Sequence, residues 1–69
     1  MIKAGQIYES NRTHAIRVIT YVDRDTEEAS TIFYTGLTYD FPIALIKEWK
    51  LIAEYPTWRE AVNSKEFTE

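Results

Sequence analysis

The chain has 69 residues, the length of one small domain, so residues 1–69 are predicted to fold as a single unit. It contains no cysteine and one histidine, which excludes a disulfide framework and a zinc site built from cysteine and histidine. The net charge is −3 and acids outnumber cations after residue 24, which disfavours a nucleic-acid partner but leaves one open.

The stability of so short a chain has to come from its aromatic side chains or from association. Folding at this size removes only about 60% of the unfolded chain's surface from water. Five Tyr, three Phe and two Trp residues supply large apolar area for a core. No apolar run approaches the roughly 20 residues that span a bilayer, and no signal peptide is recognisable. We therefore predict a cytoplasmic protein without a membrane partner, which the lack of cysteine favours.

Two strands are predicted in the first third of the chain. Gln6–Ser10 is typical of a short strand, and Asn11–Thr13 of the turn after it. His14–Val22 is the clearest strand, because most of its residues are β-branched or aromatic. Its two faces carry Ile16, Val18, Thr20 and Val22 on one side and Ala15, Arg17, Ile19 and Tyr21 on the other. Both faces are partly apolar, so we expect a central strand covered on both sides.

A hairpin is predicted to follow. Asp23–Glu28 has no apolar residue and separates the central strand from a second β-branched run at Ser30–Thr35. A charged loop between two such runs indicates an antiparallel pair. Gly36 ends the second run, and Leu37–Tyr39 is predicted to form a further short strand.

Residues 40–55 leave two alternatives open. Pro42 suits the first turn of a short helix, with Asp40 as its cap, and this helix would run to Glu48. Alternating apolar and polar residues from Trp49 to Tyr55 then predict a last strand. The apolar residues are dense enough that a helix over Ile43–Ala53 is the alternative.

The C-terminal segment has the sequence pattern of a short capped helix. Thr57 and Glu60 have the spacing of a capping box, and Trp58, Ala61 and Val62 share one helical face. A helix of this length is not stable alone, so it must dock. We expect it to cover the face of the central strand that carries Ile19 and Tyr21.

The order of these elements predicts a mostly β fold with a short C-terminal helix. A strongly bent antiparallel sheet that closes into an SH3-like β-barrel fits the order best. The alternative is an open α+β sheet with the helix on one face.

Three segments, GQIYES, FYTGLTYDFPIALI and EYPTWREAVNSKEF, resemble small uncharacterised proteins from prophage regions of Gram-positive bacteria, and together they cover about half the chain. The resemblance implies a barrel-like β domain of phage or mobile-element origin. It brings no catalytic motif and no known ligand site.

The sequence offers no catalytic residue, metal site or cofactor site. A nucleophile triad needs a base beside the nucleophile, and His14 is the single histidine, placed at the edge of a turn. Gly5 and Gly36 lie too far apart for a phosphate-binding loop. The acids of the Asp23–Glu28 loop lack the glycine of a calcium loop, so a solvated hairpin loop is predicted there.

Aromatic residues near a cation are the most suggestive feature. The candidate binding residues are Tyr8, Arg17, Tyr21, Tyr34 and Tyr39, which are predicted to line one face of the sheet. Such faces hold extended peptides or single-stranded nucleic acid by stacking. The alternative is that these tyrosines close the edge of the core with their hydroxyl groups in water.

Two functions are therefore carried forward. The first is a non-enzymatic protein-interaction module that binds a protein partner, or a second copy of itself, through a sheet face or an open strand edge. The second is a small barrel that binds single-stranded nucleic acid with Arg12, Arg17 and Arg24 beside Tyr8 and Tyr21.

Overall fold

A computed structural model describes residues 1–68 as one antiparallel sheet with three short helices. The elements in chain order are β1 (Gln6–Glu9), β2 (Ile16–Asp23), β3 (Glu28–Phe33), β4 (Thr38–Pro42), α1 (Ile43–Ile46), β5 (Lys50–Glu54), α2 (Trp58–Val62) and α3 (Lys65–Thr68). The strand order is β4-β3-β2-β1-β5, so β2 is central as predicted, and β4 and β5 are the two edges. The mostly β class with a C-terminal helical segment is confirmed. The sheet is open, and its assignment as an SH3-like barrel stays a prediction.

A β-bulge in β2 sets which residues face which side of the sheet. Ile19 pairs with Thr31, but the next pair is Tyr21 with Ser30, so β2 carries one extra residue at Thr20. The extra residue interrupts the alternation of side chains. As a result Ile19 and Val22, three positions apart, pack into the same cluster.

The core consists of two apolar clusters. Cluster A contains Ile2, Tyr8, Ile19, Ala29, Ile43, Ile46 and Trp49, with Val22 and Phe41 packed against it. Cluster B contains Ile7, Val18, Ala61 and Phe67, with Ile16, Ile32, Trp58 and Val62 among its partly buried neighbours. Ile7 and Tyr8 are adjacent on β1, and Val18 and Ile19 on β2, so the two clusters lie on opposite faces. The prediction that the central strand is covered on both sides is confirmed.

The face covered by the C-terminal helix differs from the prediction. Trp58 and Ala61 of α2 pack with Val18, and not with Ile19 and Tyr21. Ile19 is buried on the other face, beneath α1, and Tyr21 is 62% exposed. Cluster B is built on Ile7 and Val18, which pair directly across β1 and β2 and give the helix a continuous apolar surface.

The alternatives for residues 40–55 are resolved as a helix of one turn followed by a strand. The predicted cap is wrong: Asp40 lies in β4, where its carboxylate accepts a hydrogen bond from the Ser30 hydroxyl at 2.7 Å. Pro42 is the last residue of β4, and no side chain caps α1. Instead the Ile43 N–H donates to the Glu27 carbonyl at 2.9 Å, so the β2–β3 turn satisfies the first N–H group of the helix.

The predicted cap of the C-terminal helix is present. The Thr57 hydroxyl accepts a hydrogen bond from the Glu60 N–H at 3.2 Å, as a capping residue does. After Asn63 the chain forms a further helical turn, α3, which the sequence did not predict. Phe67 of α3 is buried in cluster B, which explains why this turn folds back onto the sheet.

Two hydrogen-bonded acids are expected to make the stability of the fold sensitive to acid pH. The Tyr55 hydroxyl donates to the Glu66 carboxylate, which lowers the pKa of Glu66, and Lys3 lowers the pKa of Glu54 in the same way. A carboxyl group whose pKa is lower in the folded chain stabilises it above the unfolded pKa, and this contribution is lost as pH falls through the folded value. Both groups start from an ordinary pKa of 4.5, so we expect the Tm to fall as pH drops below that value.

Thermal unfolding followed by circular dichroism from pH 7 to pH 3 tests this expectation. Tyr55→Phe should show a smaller loss of Tm over the acid range than the unmodified chain. Thr26→Ala, in the exposed β2–β3 turn, is the control and should follow the unmodified profile. If Tyr55→Phe and the unmodified chain lose Tm equally, the Tyr55–Glu66 contact does not contribute to the acid dependence.

Candidate functional site

The side chain of Arg17 lies among aromatic rings on the face of the sheet that carries cluster A. Its guanidinium carbon is 5.0 Å from the centre of the Phe33 ring, 5.1 Å from Phe41 and 5.7 Å from Tyr39. These distances are those of cation–π contacts. Arg17 and its three rings come from β2, β3 and β4, and we call this set the Arg17 cluster.

The sheet register brings the cluster together. Arg17 pairs directly with Phe33, and Tyr39 and Phe41 pair with Thr31 and Ala29 on the same strand β3. Residues that pair directly, or that are two positions apart on one strand, lie on the same face of a sheet. The cluster is therefore a consequence of the antiparallel β2–β3–β4 arrangement.

The charge of Arg17 is not compensated by the described part of the chain. Nη1 is buried and has no hydrogen-bond partner, and the ion pairs found within residues 1–68 do not involve this side chain. Burial lowers the pKa of Arg17, and Tyr39 opposes that effect. The guanidinium nevertheless stays protonated, because its ordinary pKa lies far above neutral pH. The rings stabilise the cation but accept no conventional hydrogen bond from it.

A groove of about 370 Å³ opens beside Arg17. Phe41 and Trp49, with ring centres 5.1 Å apart, and the exposed Leu45 of α1 form its apolar side. The turn after β1 forms the other side, and its residues in the groove are Ser10, Asn11, Arg12 and Thr13. We call this depression the Arg17 groove.

A hydrogen bond connects the two sides of the groove. The Asn11 side-chain amide donates to the backbone carbonyl of Glu48 at 2.7 Å. This contact joins the β1–β2 turn to the segment between α1 and β5. It is an exposed contact between the two walls of the groove.

The five predicted binding residues are only partly brought together. Arg17 and Tyr39 lie in the Arg17 cluster, and Tyr34 contacts it through Phe33, with ring centres 4.5 Å apart. Tyr8 is instead a core residue, 7% exposed, whose hydroxyl donates to the Gln6 side chain at 3.0 Å, and burial raises its pKa. Tyr21 pairs with Ser30 beyond the bulge and stands apart from the cluster. The prediction is therefore corrected at two residues: Tyr8 pairs directly with Arg17 on the same face but is buried in the core, and Tyr21 does not share that face.

Three aromatic residues of the site were not among the predicted binding residues: Phe33, Phe41 and Trp49. A signal for one of them was present, because Phe41 is two positions from Tyr39 and must share its face if the strand continues. The predicted strand ended at Tyr39, so this relation was not recognised. Trp49 had been assigned to a strand, whereas it lies in the turn before β5.

The other features of the described chain do not form a catalytic or metal-binding site. Within residues 1–68 no three His, Asp or Glu side chains are grouped closely enough to hold a metal ion. His14 is exposed, and its Nδ1 is 3.0 Å from a Glu9 carboxylate oxygen. Asp23 accepts the N–H groups of Asp25 and Thr26, which is the hydrogen bonding of a turn. The part of the chain that the structure describes also has no helix long and apolar enough to cross a bilayer.

Comparison with known protein families, with curated proteins and with solved structures yields no match to this chain. The resemblance to prophage proteins therefore stays a prediction.

Proposed function

We propose that this chain is a non-enzymatic interaction module that binds an extended segment of a partner protein in the Arg17 groove. The observation that carries the proposal is a half-buried guanidinium, with Nη1 lacking a hydrogen-bond partner, beside an open groove with aromatic walls. Burial of one guanidinium nitrogen without a hydrogen-bond partner costs free energy, and an acceptor that reached this nitrogen from the groove would recover that cost. Arginine and aromatic residues are also the residue types enriched at binding hot spots.

The shape of the groove favours a peptide over a nucleic acid. Phe41, Trp49 and Leu45 offer an apolar side that suits the side chains of an extended peptide. The residues considered for nucleic-acid binding are dispersed: Tyr8 is buried, and the Arg24 guanidinium donates to the Ile2 carbonyl at 2.8 Å. Only Arg12 and Arg17 of that set line the groove. Two cations provide little of the phosphate neutralisation on which nucleic-acid affinity depends.

A cytoplasmic location and a phage or mobile-element origin belong to the same proposal. The lack of cysteine supports the location, and the resemblance of the three segments supports the origin. Self-association is a separate outcome, which light scattering on a concentrated sample measures directly.

The two tryptophans make the binding test specific to the groove. Trp49 lines the groove, whereas Trp58 packs in cluster B on the opposite face. Peptides selected from a random library displayed on phage are titrated into ¹⁵N-labelled protein. We expect the indole N–H signal of Trp49 to shift and that of Trp58 to stay in place.

Arg17→Met should weaken the selected peptides by about 10-fold or more, the loss typical of a hot-spot side chain. The variant should fold, since replacing a buried charge by an apolar side chain of similar volume is often neutral or stabilising. Arg59→Met is the matched control: Arg59 lies 5.1 Å from the Trp58 ring, outside the groove, and its loss should leave affinity unchanged.

Two results would contradict the proposal. One is that every peptide selected from the library binds the unmodified chain and Arg17→Met with the same affinity. The other is a Trp49 shift caused by oligothymidylate, with affinity falling steeply as salt rises, because the groove would then bind single-stranded nucleic acid.

A further inference from the structure

The charges around the groove indicate which peptides it selects. Arg12 and Arg17 line it together with one carboxylate, Glu48, although the chain as a whole carries a net charge of −3. The groove is thus a locally cationic depression on an acidic protein. Like charges raise the free energy of a complex and opposite charges lower it, so this local excess favours an anionic group on the ligand.

The type of cation narrows the choice of anionic group. A guanidinium is planar, offers several N–H donors in a fixed fork, and matches the two oxygens of a carboxylate. Arg17 is fixed from three sides by Phe33, Tyr39 and Phe41, so little side-chain entropy remains to be lost on binding. The apolar wall lies next to it, and an acidic side chain with apolar neighbours would satisfy both parts of the site.

A second depression lies beside the groove. Ser10 and Asn11 also line a second depression of about 310 Å³, together with Glu9, His14 and Lys50. A peptide that extends past Asn11 would meet one cation, Lys50, and one carboxylate, Glu9, in this depression. This neighbouring surface leaves room for a segment that extends past Arg17.

We infer that the Arg17 groove binds a continuous acidic–apolar segment of a partner protein, in which an Asp or Glu side-chain carboxylate contacts Arg17 and an adjacent apolar side chain contacts Trp49 and Leu45. The inference rests on the proposed function, since it names the chemistry of the segment bound in that groove.

The test uses a random peptide library fused through its C-terminus to the phage coat, so that no free terminal carboxylate is displayed. We expect the peptides selected by the unmodified chain to be enriched in Asp or Glu beside an apolar residue. Replacing that acid by Asn or Gln in a synthetic peptide with blocked ends should weaken binding by about 10- to 100-fold, as expected for a charged hydrogen-bonded pair.

Arg17→Met completes a double-mutant cycle. The acid and the amide forms of the peptide should bind this variant with the same affinity, because the partner of the carboxylate is gone. Arg59→Met should bind the acid form of the peptide more tightly than the amide form, by the same factor as the unmodified chain does. A second library, displayed with free C-termini, measures whether a terminal carboxylate can replace the side chain.

The outcomes separate the inference from the proposed function. Peptides that shift the Trp49 indole signal but lack an acid, or that keep their affinity in the amide form, overturn the inference and leave a peptide-binding groove. Selection from the free C-terminus library alone overturns the assignment of a side-chain carboxylate. A failure to select any groove-dependent peptide from either library overturns the proposed function and the inference with it.

Discussion

Gly5→Ala is expected to lower the free energy of unfolding by more than about 3 kcal/mol. A β-carbon at Gly5 would lie 2.2 Å from the Tyr55 carbonyl oxygen, a contact that must move the backbone. The backbone has little freedom to move, since the Gly5 N–H donates to the Ile19 carbonyl at 2.9 Å and its carbonyl accepts from Tyr55 at 3.0 Å. A chain of this length has a total stability of roughly 3–10 kcal/mol, so partial or complete unfolding is expected.

Gly36→Ala is the matched control for this substitution. Both glycines have a positive φ, +98° at Gly5 and +95° at Gly36, but no atom lies within 4 Å of a β-carbon built at Gly36. The control therefore measures backbone strain alone, which costs about 1–2 kcal/mol. Urea denaturation followed by far-ultraviolet circular dichroism gives both values. If both substitutions lowered the free energy of unfolding equally, the contact of the added β-carbon at position 5 with the Tyr55 carbonyl would be relieved without cost.

Ile19→Ala is expected to cost about 2–5 kcal/mol, and Ile19→Val about 0.5–1.5 kcal/mol. Ile19 is completely buried in cluster A, which also contains Ile46 and Trp49. Removing its outer carbons leaves a cavity that α1 and the sheet can fill only in part. Loss of this packing should also loosen the wall of the Arg17 groove, because Trp49 belongs to cluster A and also lines the groove.

Tyr21→Ala distinguishes the observed fold from the one that the sequence predicted. The sequence placed Tyr21 with Ile19 beneath the C-terminal helix, where its loss would be as costly as that of Ile19. In the structure Tyr21 is largely exposed, so the change should cost less than about 1 kcal/mol. Urea denaturation of the two alanine variants, side by side, measures the difference. Similar losses would mean that Tyr21 is packed and that the bulge is misplaced.

The strands and the helix cap were predictable because their signals are local. The β-branched run around Val18 indicates a strand by itself, and Thr57 with Glu60 indicates a helix start by spacing alone. The side of the sheet on which each residue lies was not predictable beyond Ile19. The bulge at Thr20 depends on how β2 pairs with β3, and the one-residue offset reverses every later assignment.

The candidate site was predictable in its central residue and not in its surroundings. Arg17 was predicted because it is a cation near several aromatic residues in the sequence. The identity of its aromatic partners depends on the register of β3 and β4, which brings Phe33, Tyr39 and Phe41 around it. Tyr8 shows the opposite error: burial of a tyrosine on β1 depends on α1 and Trp49, which lie about 40 residues further along the chain.

The pairing of β1 with β5 has a consequence for the order of events during synthesis. Strands β1 to β4 are contiguous in sequence and can pair as the ribosome releases them, yet one side of β1 stays open until Lys50–Glu54 has emerged. Ile7 lacks its cover until α2 and α3 arrive as well. A partly translated chain therefore exposes a sheet edge and an apolar face together, the combination that invites aggregation, and native protection requires the segment as far as Phe67.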